Sequence, residues 1–207
     1  MFLLDSDVAK KICQYHLLNE LAVSLGCGLN DFAILPQLRF QLKLADPAKA
    51  LNKLGTQEAV DLARELVRAA AEVEIVAETA NPILELNRPD IDSGEATLFA
   101  ALHNAKADSL VSGDKRAFVA LSAINGVSVV DAFWARLICL EEAMHLIVMS
   151  ANFDDVSAKV RAQPAVDIAI SIAFGRAVAN VQAVVVEALA SYMSDLHACT
   201  NGKYVLP

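Results

Sequence analysis

The segment Phe2-Leu3-Leu4-Asp5-Ser6-Asp7-Val8 sets the pattern from which the fold follows. Three apolar residues are followed at once by Asp5, and apolar residues then recur at helical spacing over residues 8–25. Further short apolar runs stand before helical segments at residues 32–35, 109–112 and 127–130. Short apolar strands that alternate with helices predict an α/β fold with a mostly parallel central sheet, covered by helices on both faces.

The other helical segments are bounded by capping residues and turns. Thr56 and Ser93 are good N-caps for the helices that follow them. The patterns predict helices over residues 38–44, 57–79, 94–104, 115–124 and 131–151. An Ala- and Val-rich helical stretch then covers residues 165–196, with Gly175 as a break. We therefore expect an α/β domain over residues 1–153 and a helical C-terminal extension over residues 154–207, which packs on the domain or forms an interface.

The composition excludes several classes of protein. The chain has 207 residues, 56% of them hydrophobic, and a formal net charge of -8. It is therefore apolar enough to fold, and as a whole it repels phosphate. The longest uncharged stretch, residues 117–130, is shorter than the ~18 residues of a membrane span. The N-terminus has neither the basic region nor the apolar core of a signal peptide. We therefore expect no membrane association.

The cysteine pattern indicates the cellular compartment. All four cysteines lie far apart with no CxxC pair, at Cys13, Cys27, Cys139 and Cys199. This usage is typical of reduced, buried thiols and predicts a cytoplasmic protein. An apolar excess without a membrane span also predicts an additional buried surface, for which a homodimer is the simplest explanation.

Acidic residues fall where an open parallel sheet binds ligands, beyond the carboxyl ends of its strands. Asp5, Asp114 and Asp131 each follow a predicted strand, and Glu95 lies in the first turn of a helix. Carboxylates that converge repel one another unless a hard cation such as Mg²⁺ or Mn²⁺ lies between them. The alternative is that each residue only caps its helix or interacts with the helix dipole.

Three motifs resemble those of PIN-domain nucleases. Residues 2–8 resemble the family's opening, which is an apolar strand, an Asp, a small hydroxyl residue and then Asn or Asp. Asp92-Ser93-Gly94-Glu95-Ala96 is similar to the D-x-G-E-A helix start of one branch of the family. Residues 110–116, Leu-Val-Ser-Gly-Asp-Lys-Arg, resemble the strand, small hydroxyl and Asp that follow it. The motifs occur in the family's order and cover about residues 1–135.

This resemblance implies a compact three-layer α/β/α domain with an acidic pocket that binds Mg²⁺ or Mn²⁺. It implies hydrolysis of phosphodiester bonds, usually those of RNA. Many members of the family are toxins of toxin–antitoxin pairs. An antitoxin-like protein that inserts a helix or a basic segment near the pocket is therefore a candidate partner.

The resemblance also assigns roles by position. Asp5, Glu95 and Asp114 would be the catalytic and metal-binding acids. Ser112 would form a hydrogen bond within the site. Asp7 would orient Asp5 or a water molecule, with helix capping as the alternative.

One departure from the family pattern concerns the helix after the second strand. The family usually carries a further acid there, whereas this chain has Gln41, and Gln binds Mg²⁺ more weakly. Asp31, Asp90, Asp92 and Asp131 are candidates to compensate for it. The alternative function is therefore a catalytically weakened PIN-like module that binds RNA or a protein partner.

Cations beside the pocket would bind the substrate. Lys115 and Arg116 follow Asp114 directly and are the predicted phosphate contacts, with a solvated helix face as the alternative. Because the net charge is -8, we expect RNA binding to be weak and sensitive to salt.

Overall fold

The structure is a computed structural model that describes residues 1–73, 91–104 and 109–207. Five strands form one sheet: β1 (Phe2–Leu4), β2 (Phe32–Ile34), β3 (Ala71–Glu72), β4 (Ser109–Ser112) and β5 (Leu137–Cys139). All neighbouring strands are parallel, in the order β3-β2-β1-β4-β5. The predicted α/β fold with a parallel central sheet is confirmed.

Five α-helices precede β3 along the chain, and they lie on one face of the sheet or in the connections between its strands. They are α1 (Ser6–Gln14), α2 (Leu18–Ser24), α3 (Leu38–Gln41), α4 (Pro47–Leu54) and α5 (Gln57–Ala69). The helix predicted over residues 8–25 is therefore two helices, because His16 between them has a φ of 56° that no α-helix can continue through.

The later helices complete the fold within the described part of the chain. They are α6 (Ser93–Asn104), α7 (Lys115–Ser122), α8 (Ser128–Asp131), α9 (Leu140–Ser150), α10 (Phe153–Ala162), α11 (Ile168–Phe174) and α12 (Gln182–Cys199). The helix predicted over residues 57–79 ends at Ala69 and is followed by β3. The last part of that predicted helix, residues 74–79, lies outside the described residues.

The three central strands are mostly apolar because both faces of the sheet are buried there, whereas the short edge strand β3 is exposed. Leu3 lies opposite Ala33 of β2 and Leu110 of β4, and these three belong to one core. The next row along the strands, Leu4, Ile34 and Val111, belongs to the other core. We call the core that contains Leu4 the first core and the core that contains Leu3 the second core. Helices α1, α4, α5 and α9 pack in the first core, and α6, α7 and α8 pack in the second. The sheet therefore lies between two helical layers.

The strand predicted over residues 127–130 is wrong. Residues 128–131 form the short helix α8, in which the N–H groups of Val130 and Asp131 both donate to the carbonyl of Val127. A short run with three valines in four residues fits a strand and a partly buried helical turn equally well, so the pattern alone could not decide. The fifth strand is instead Leu137–Cys139, inside a segment predicted to be helical.

The C-terminal segment shares the cores of the preceding residues. Val185 and Leu189 of α12 lie in the first core, and Met193 and Leu196 of the same helix lie in the second. After the helix, Tyr204 is buried in the second core. Within the described residues, no helix is long and apolar enough to cross a membrane.

Candidate active site

The candidate site lies where the strand connections change direction. From β1 the chain adds β2 and β3 on one side, and it then crosses to add β4 and β5 on the other. Beyond the carboxyl ends of β1 and β4 is a cavity of about 850 Å³. Such a switch point is where open parallel sheets bind ligands. Carboxylates outnumber cationic side chains in the lining of the cavity, and they are Asp5, Asp7, Asp92, Glu95, Asp114, Glu141 and Asp167.

Asp5 occupies the first position after β1 and is the N-cap residue of α1. Its backbone N–H donates to the carbonyl of Val111 at 3.0 Å, which fixes the end of β1 against β4. Burial, followed by the charge of Asp7, raises the pKa of the Asp5 carboxyl to about 6, although nearby backbone N–H groups oppose the rise. The fold thus holds a carboxylate where its ionised form is disfavoured.

Glu95 is held at the start of α6 by a reciprocal cap. The Glu95 carboxylate accepts from the N–H of Asp92 at 2.7 Å, and the Asp92 carboxylate accepts from the N–H of Glu95 at 2.9 Å. This is the arrangement of a capping box, with Asp92 rather than the predicted Ser93 as the cap. The motif from residue 92 to residue 96 therefore has a structural role, and it also fixes where the Glu95 carboxylate lies.

Asp114 likewise caps α7 while it faces the cavity. Its carboxylate accepts from the N–H groups of Arg116 at 2.8 Å and Ala117 at 3.2 Å. The turn before it is set by Ser112, whose hydroxyl accepts from the N–H of Asp114 at 3.2 Å. Gly113 lies between them, and a Cβ there would be 3.4 Å from both the Asp7 carboxylate and Val8. A small residue therefore lets the end of β4 approach the start of α1.

Glu95 and Asp114 form a coupled pair of carboxyl groups. Burial, a hydrogen bond with Asp114 and the charges of Asp92 and Asp114 raise the pKa of Glu95 to about 7, against one backbone N–H that lowers it. Burial also acts to raise the pKa of Asp114, but the hydrogen bond from Glu95 and the contacts with Ala117 and Arg116 outweigh it, so the pKa is lowered. Below about pH 7 the pair therefore retains one proton, which Glu95 donates to Asp114, and above it both carboxyl groups are ionised.

Glu141 is a site residue that the sequence analysis did not single out. It follows β5 in the first turn of α9 and is only 4% exposed. Its carboxylate lies 2.7 Å from the ammonium group of Lys115, which also lies 5.2 Å from the centre of the Tyr192 ring. The signal that would have found Glu141 is the run Leu137–Cys139, had it been recognised as a strand.

Most predicted site residues line this cavity. They are Asp5, Asp7, Gln41, Asp92, Glu95, Asp114, Lys115 and Arg116. Ser112 is buried beneath the turn and lies outside the cavity lining. Asp131 is exposed at the end of α8 and also lies outside the lining, because the strand that it was predicted to follow is not a strand.

Two cations that the sequence analysis passed over also line the cavity. Lys10 comes from α1 and Lys53 from the last turn of α4. Nothing in the local sequence marks them, because they are brought to the cavity by the packing of α1 and α4 in the first core. Lys11, next to Lys10, is instead paired with Asp7 at 2.7 Å and Asp167 at 2.9 Å.

The donor set meets the minimum for a divalent hard cation. Mg²⁺ commonly keeps several waters and takes one or two carboxylates from the protein, which Glu95 and Asp114 supply once their shared proton is lost. Among residues 1–73, 91–104 and 109–207, no three His, Cys, Asp or Glu side chains are arranged to hold an ion together. The residues therefore fit an ion that remains largely hydrated.

A second cavity of about 760 Å³ adjoins the first and shares Asp92, Glu95, Asp114, Lys115 and Arg116 with it. The rest of its lining is mostly apolar and comes from α7 and α12: Val119, Ala120, Ala123, Tyr192, Asp195, Leu196 and Cys199. The C-terminal helix α12 therefore extends the surface beside the candidate site.

Comparisons of the chain with protein-family models, with curated proteins and with solved structures give no significant match.

Proposed function

We propose that this chain is a Mg²⁺- or Mn²⁺-dependent endoribonuclease that hydrolyses phosphodiester bonds, of the PIN-like kind that its three motifs resemble. The observation that carries the proposal is the coupled pair Glu95–Asp114, which shares a cavity at the switch point of the sheet with Asp5. Carboxyl groups with pKa values shifted toward neutrality are typical of sites that bind cations or transfer protons.

The proposed roles follow from the charge state of each acid. Loss of the shared proton leaves Glu95 and Asp114 as two carboxylates for the metal. The metal, when bound, lowers the pKa of a coordinated water and neutralises charge that develops on the phosphate. Asp5, with a pKa of about 6, is ionised at pH 7 and can accept a proton from the attacking water.

A nuclease assay with a matched acidic control tests this proposal. Labelled single-stranded RNA is incubated with Mn²⁺, Mg²⁺ or EDTA and with wild type, Asp5→Asn or Asp131→Asn. Asp131 is an exposed acid outside the cavity, so its variant matches the change in charge. We expect metal-dependent cleavage by wild type and Asp131→Asn, and a loss of about 100-fold or more in Asp5→Asn. Equal cleavage by all three proteins, or cleavage in EDTA, contradicts the proposal.

Two observations favour a second candidate, a weakened PIN-like module that binds RNA or a protein partner. Gln41 lines the cavity where the family usually has an acid, and no group of three ligands is present in the described residues. This candidate predicts no heat of Mn²⁺ binding by calorimetry. A binding isotherm that disappears in Asp5→Asn eliminates it. An antitoxin-like partner with a basic segment belongs to either candidate, since the cavity carries seven carboxylate side chains.

A further inference from the structure

The two helical layers contribute different charges to the candidate active site. Glu95 and Asp114 begin α6 and α7, which pack in the second core. Lys10 and Lys53 lie on α1 and α4, which pack in the first core. Gln41 comes from α3, also in that layer. The cavity therefore has an acidic wall and, facing it from the other layer, a wall that carries Lys10, Lys53 and Gln41.

Three carboxylates that line the cavity are already in ion pairs. Asp7 and Asp167 share the ammonium group of Lys11, and Glu141 binds that of Lys115. Asp5 adds a carboxylate without an ion pair to a described residue. Lys10 and Lys53 likewise have no ion pair or hydrogen bond with any described residue. A bound anion would therefore meet two lysines on this wall that no described carboxylate contacts.

The cations predicted from the sequence to bind phosphate are less available. Lys115 is held by the buried carboxylate of Glu141, and Arg116 lies 3.3 Å from the Asp114 carboxylate. A phosphate that binds either one must compete with a carboxylate that already neutralises it. Lys10 is only partly exposed and Lys53 is exposed, and neither has such a competitor.

We propose that Lys10, Lys53 and Gln41 bind a backbone phosphate of a nucleic-acid strand, at a nucleotide other than the one whose phosphate lies at Glu95 and Asp114. This inference rests on the proposed function, because it takes the acidic wall as the place of reaction. A ligand that contacts both walls must bridge the cavity, which a strand with one phosphate per nucleotide can do. The side-chain amide of Gln41 donates to a phosphate oxygen, whereas a carboxylate there would repel it.

Equilibrium binding in EDTA tests the inference separately from catalysis. Fluorescence anisotropy follows binding of a fluorescein-labelled single-stranded oligouridylate over a series of KCl concentrations. The proteins are wild type, Lys10→Gln, Lys53→Gln, the double variant, Gln41→Glu and the control Lys49→Gln. Lys49 lies on α4 like Lys53, but it is outside the cavity and paired with Asp46 at 2.9 Å. Thermal unfolding verifies that each variant folds.

The salt dependence gives the expected size of the effect. Each phosphate of a single strand that lysines neutralise contributes about 0.7 to the slope of log affinity against log salt. Because Lys10 and Lys53 bind one phosphate, we expect the double variant to lose about 0.7 of that slope, each single variant to lose part of it, and Lys49→Gln to keep it. A matched oligodeoxyuridylate should show the same losses, because the contacts are to phosphate. Gln41→Glu should weaken binding without loss of folding.

The outcomes separate this inference from the proposed function. If the double variant keeps the wild-type slope, or wild type binds neither oligonucleotide, the inference is wrong even where wild type cleaves RNA. If the slopes change as expected but no metal supports cleavage, the assignment of Lys10, Lys53 and Gln41 to a phosphate is supported and the nuclease proposal fails. A slope change with RNA alone overturns the assignment to phosphate.

Discussion

Asp5 is an acid that the fold keeps in a place where its neutral form is favoured. Its pKa of about 6 lies above the ordinary value of 3.8, with burial as the largest cause and the charge of Asp7 next. A carboxyl group whose folded pKa is raised destabilises the folded state once it ionises. The destabilisation is absent below the unfolded pKa and complete above the folded pKa, so it develops between about pH 4 and pH 6.

We therefore expect Asp5→Asn to stabilise the metal-free protein at pH 7. The shift in pKa corresponds to about 3 kcal/mol in the free energy of unfolding at most, since the Asn amide also needs hydrogen-bond partners. The gain should shrink toward pH 4. Urea unfolding of wild type and variant in EDTA at both pH values measures it. A variant that is less stable than wild type at pH 7 contradicts the account of Asp5 as a strained acid.

The raised pKa of Glu95 makes metal binding weaker as the pH falls. Because its pKa is about 7 and that of Asp5 is about 6, protons compete with a cation below neutrality. We expect Mn²⁺ affinity to rise steeply from pH 5 to pH 8 and to level off above. Calorimetry across this range checks the curve, and Glu95→Gln should bind more weakly and lose the midpoint near pH 7. An affinity that is independent of pH rules out carboxylate ligands with these pKa values.

At the scale of the element, one side chain serves both a helix and the site. Asp114 caps α7 through the N–H groups of Arg116 and Ala117, so a loss of activity on its removal has two explanations. Asn caps a helix about as well as Asp, whereas Ala does not. We expect Asp114→Asn to unfold with nearly wild-type stability, Asp114→Ala to lose about 1 kcal/mol, and both to lose metal affinity. Thermal unfolding and calorimetry on the same samples separate the two roles.

The result that would contradict this separation is equal stability of the Asn and Ala variants. The cap would then contribute nothing, and Asp114 would be held in place by the site alone.

The end of α11 requires a glycine for two reasons. Gly175 has a φ of 84°, and a Cβ there would collide with the carbonyl oxygen of Val178. Gly126 has a similar φ of 74° but open space around it. We expect Gly126→Ala to cost about 1 kcal/mol from the backbone alone and Gly175→Ala to cost at least about 2 kcal/mol more. Chemical denaturation of both variants gives the difference, and similar losses would mean that the loop after α11 adapts.

At the scale of the whole molecule, the C-terminal segment joins both layers. Helix α12 contributes to the first core through Val185 and Leu189 and to the second through Met193 and Leu196. Beyond it, the buried Tyr204 hydroxyl accepts from the N–H of Cys139 at 3.0 Å and donates to the Glu142 carboxylate. The helical extension is therefore built into the cores of the residues that precede it.

We accordingly expect a single unfolding transition for the whole chain. Tyr204→Phe leaves the Cys139 N–H and the Glu142 carboxylate without this partner and should cost about 2 kcal/mol. Tyr192→Phe is the control, since Tyr192 is only partly buried and its hydroxyl has no hydrogen bond with any described residue. Urea unfolding followed by Trp134 fluorescence and by circular dichroism should give coincident curves. An earlier loss of helical signal would show that residues 154–207 unfold by themselves.

The homodimer and the antitoxin-like partner stay predictions. Several apolar side chains of α11 and of the segment before α12 are exposed, including Ile168, Val178 and Val181. They are the residues whose exposure a partner would reduce.

The sequence alone determined the class of fold and most of the candidate acids. Short apolar runs that alternate with helical segments predict a parallel sheet, so Phe2–Leu4, Phe32–Ile34 and Ser109–Ser112 were found, together with Asp5 after the first and Asp114 after the last. The tertiary structure decided the features that the local sequence pattern does not encode. Residues 127–130 became helical and Leu137–Cys139 became the edge strand, because packing against the second core, rather than apolar character, selects the conformation. Glu141, Lys10 and Lys53 reached the cavity from three separate helices, and their distances in the chain give no sign of this meeting. Such juxtapositions follow from how two layers of helices cover a sheet, which is a property of the packed molecule and not of any one segment.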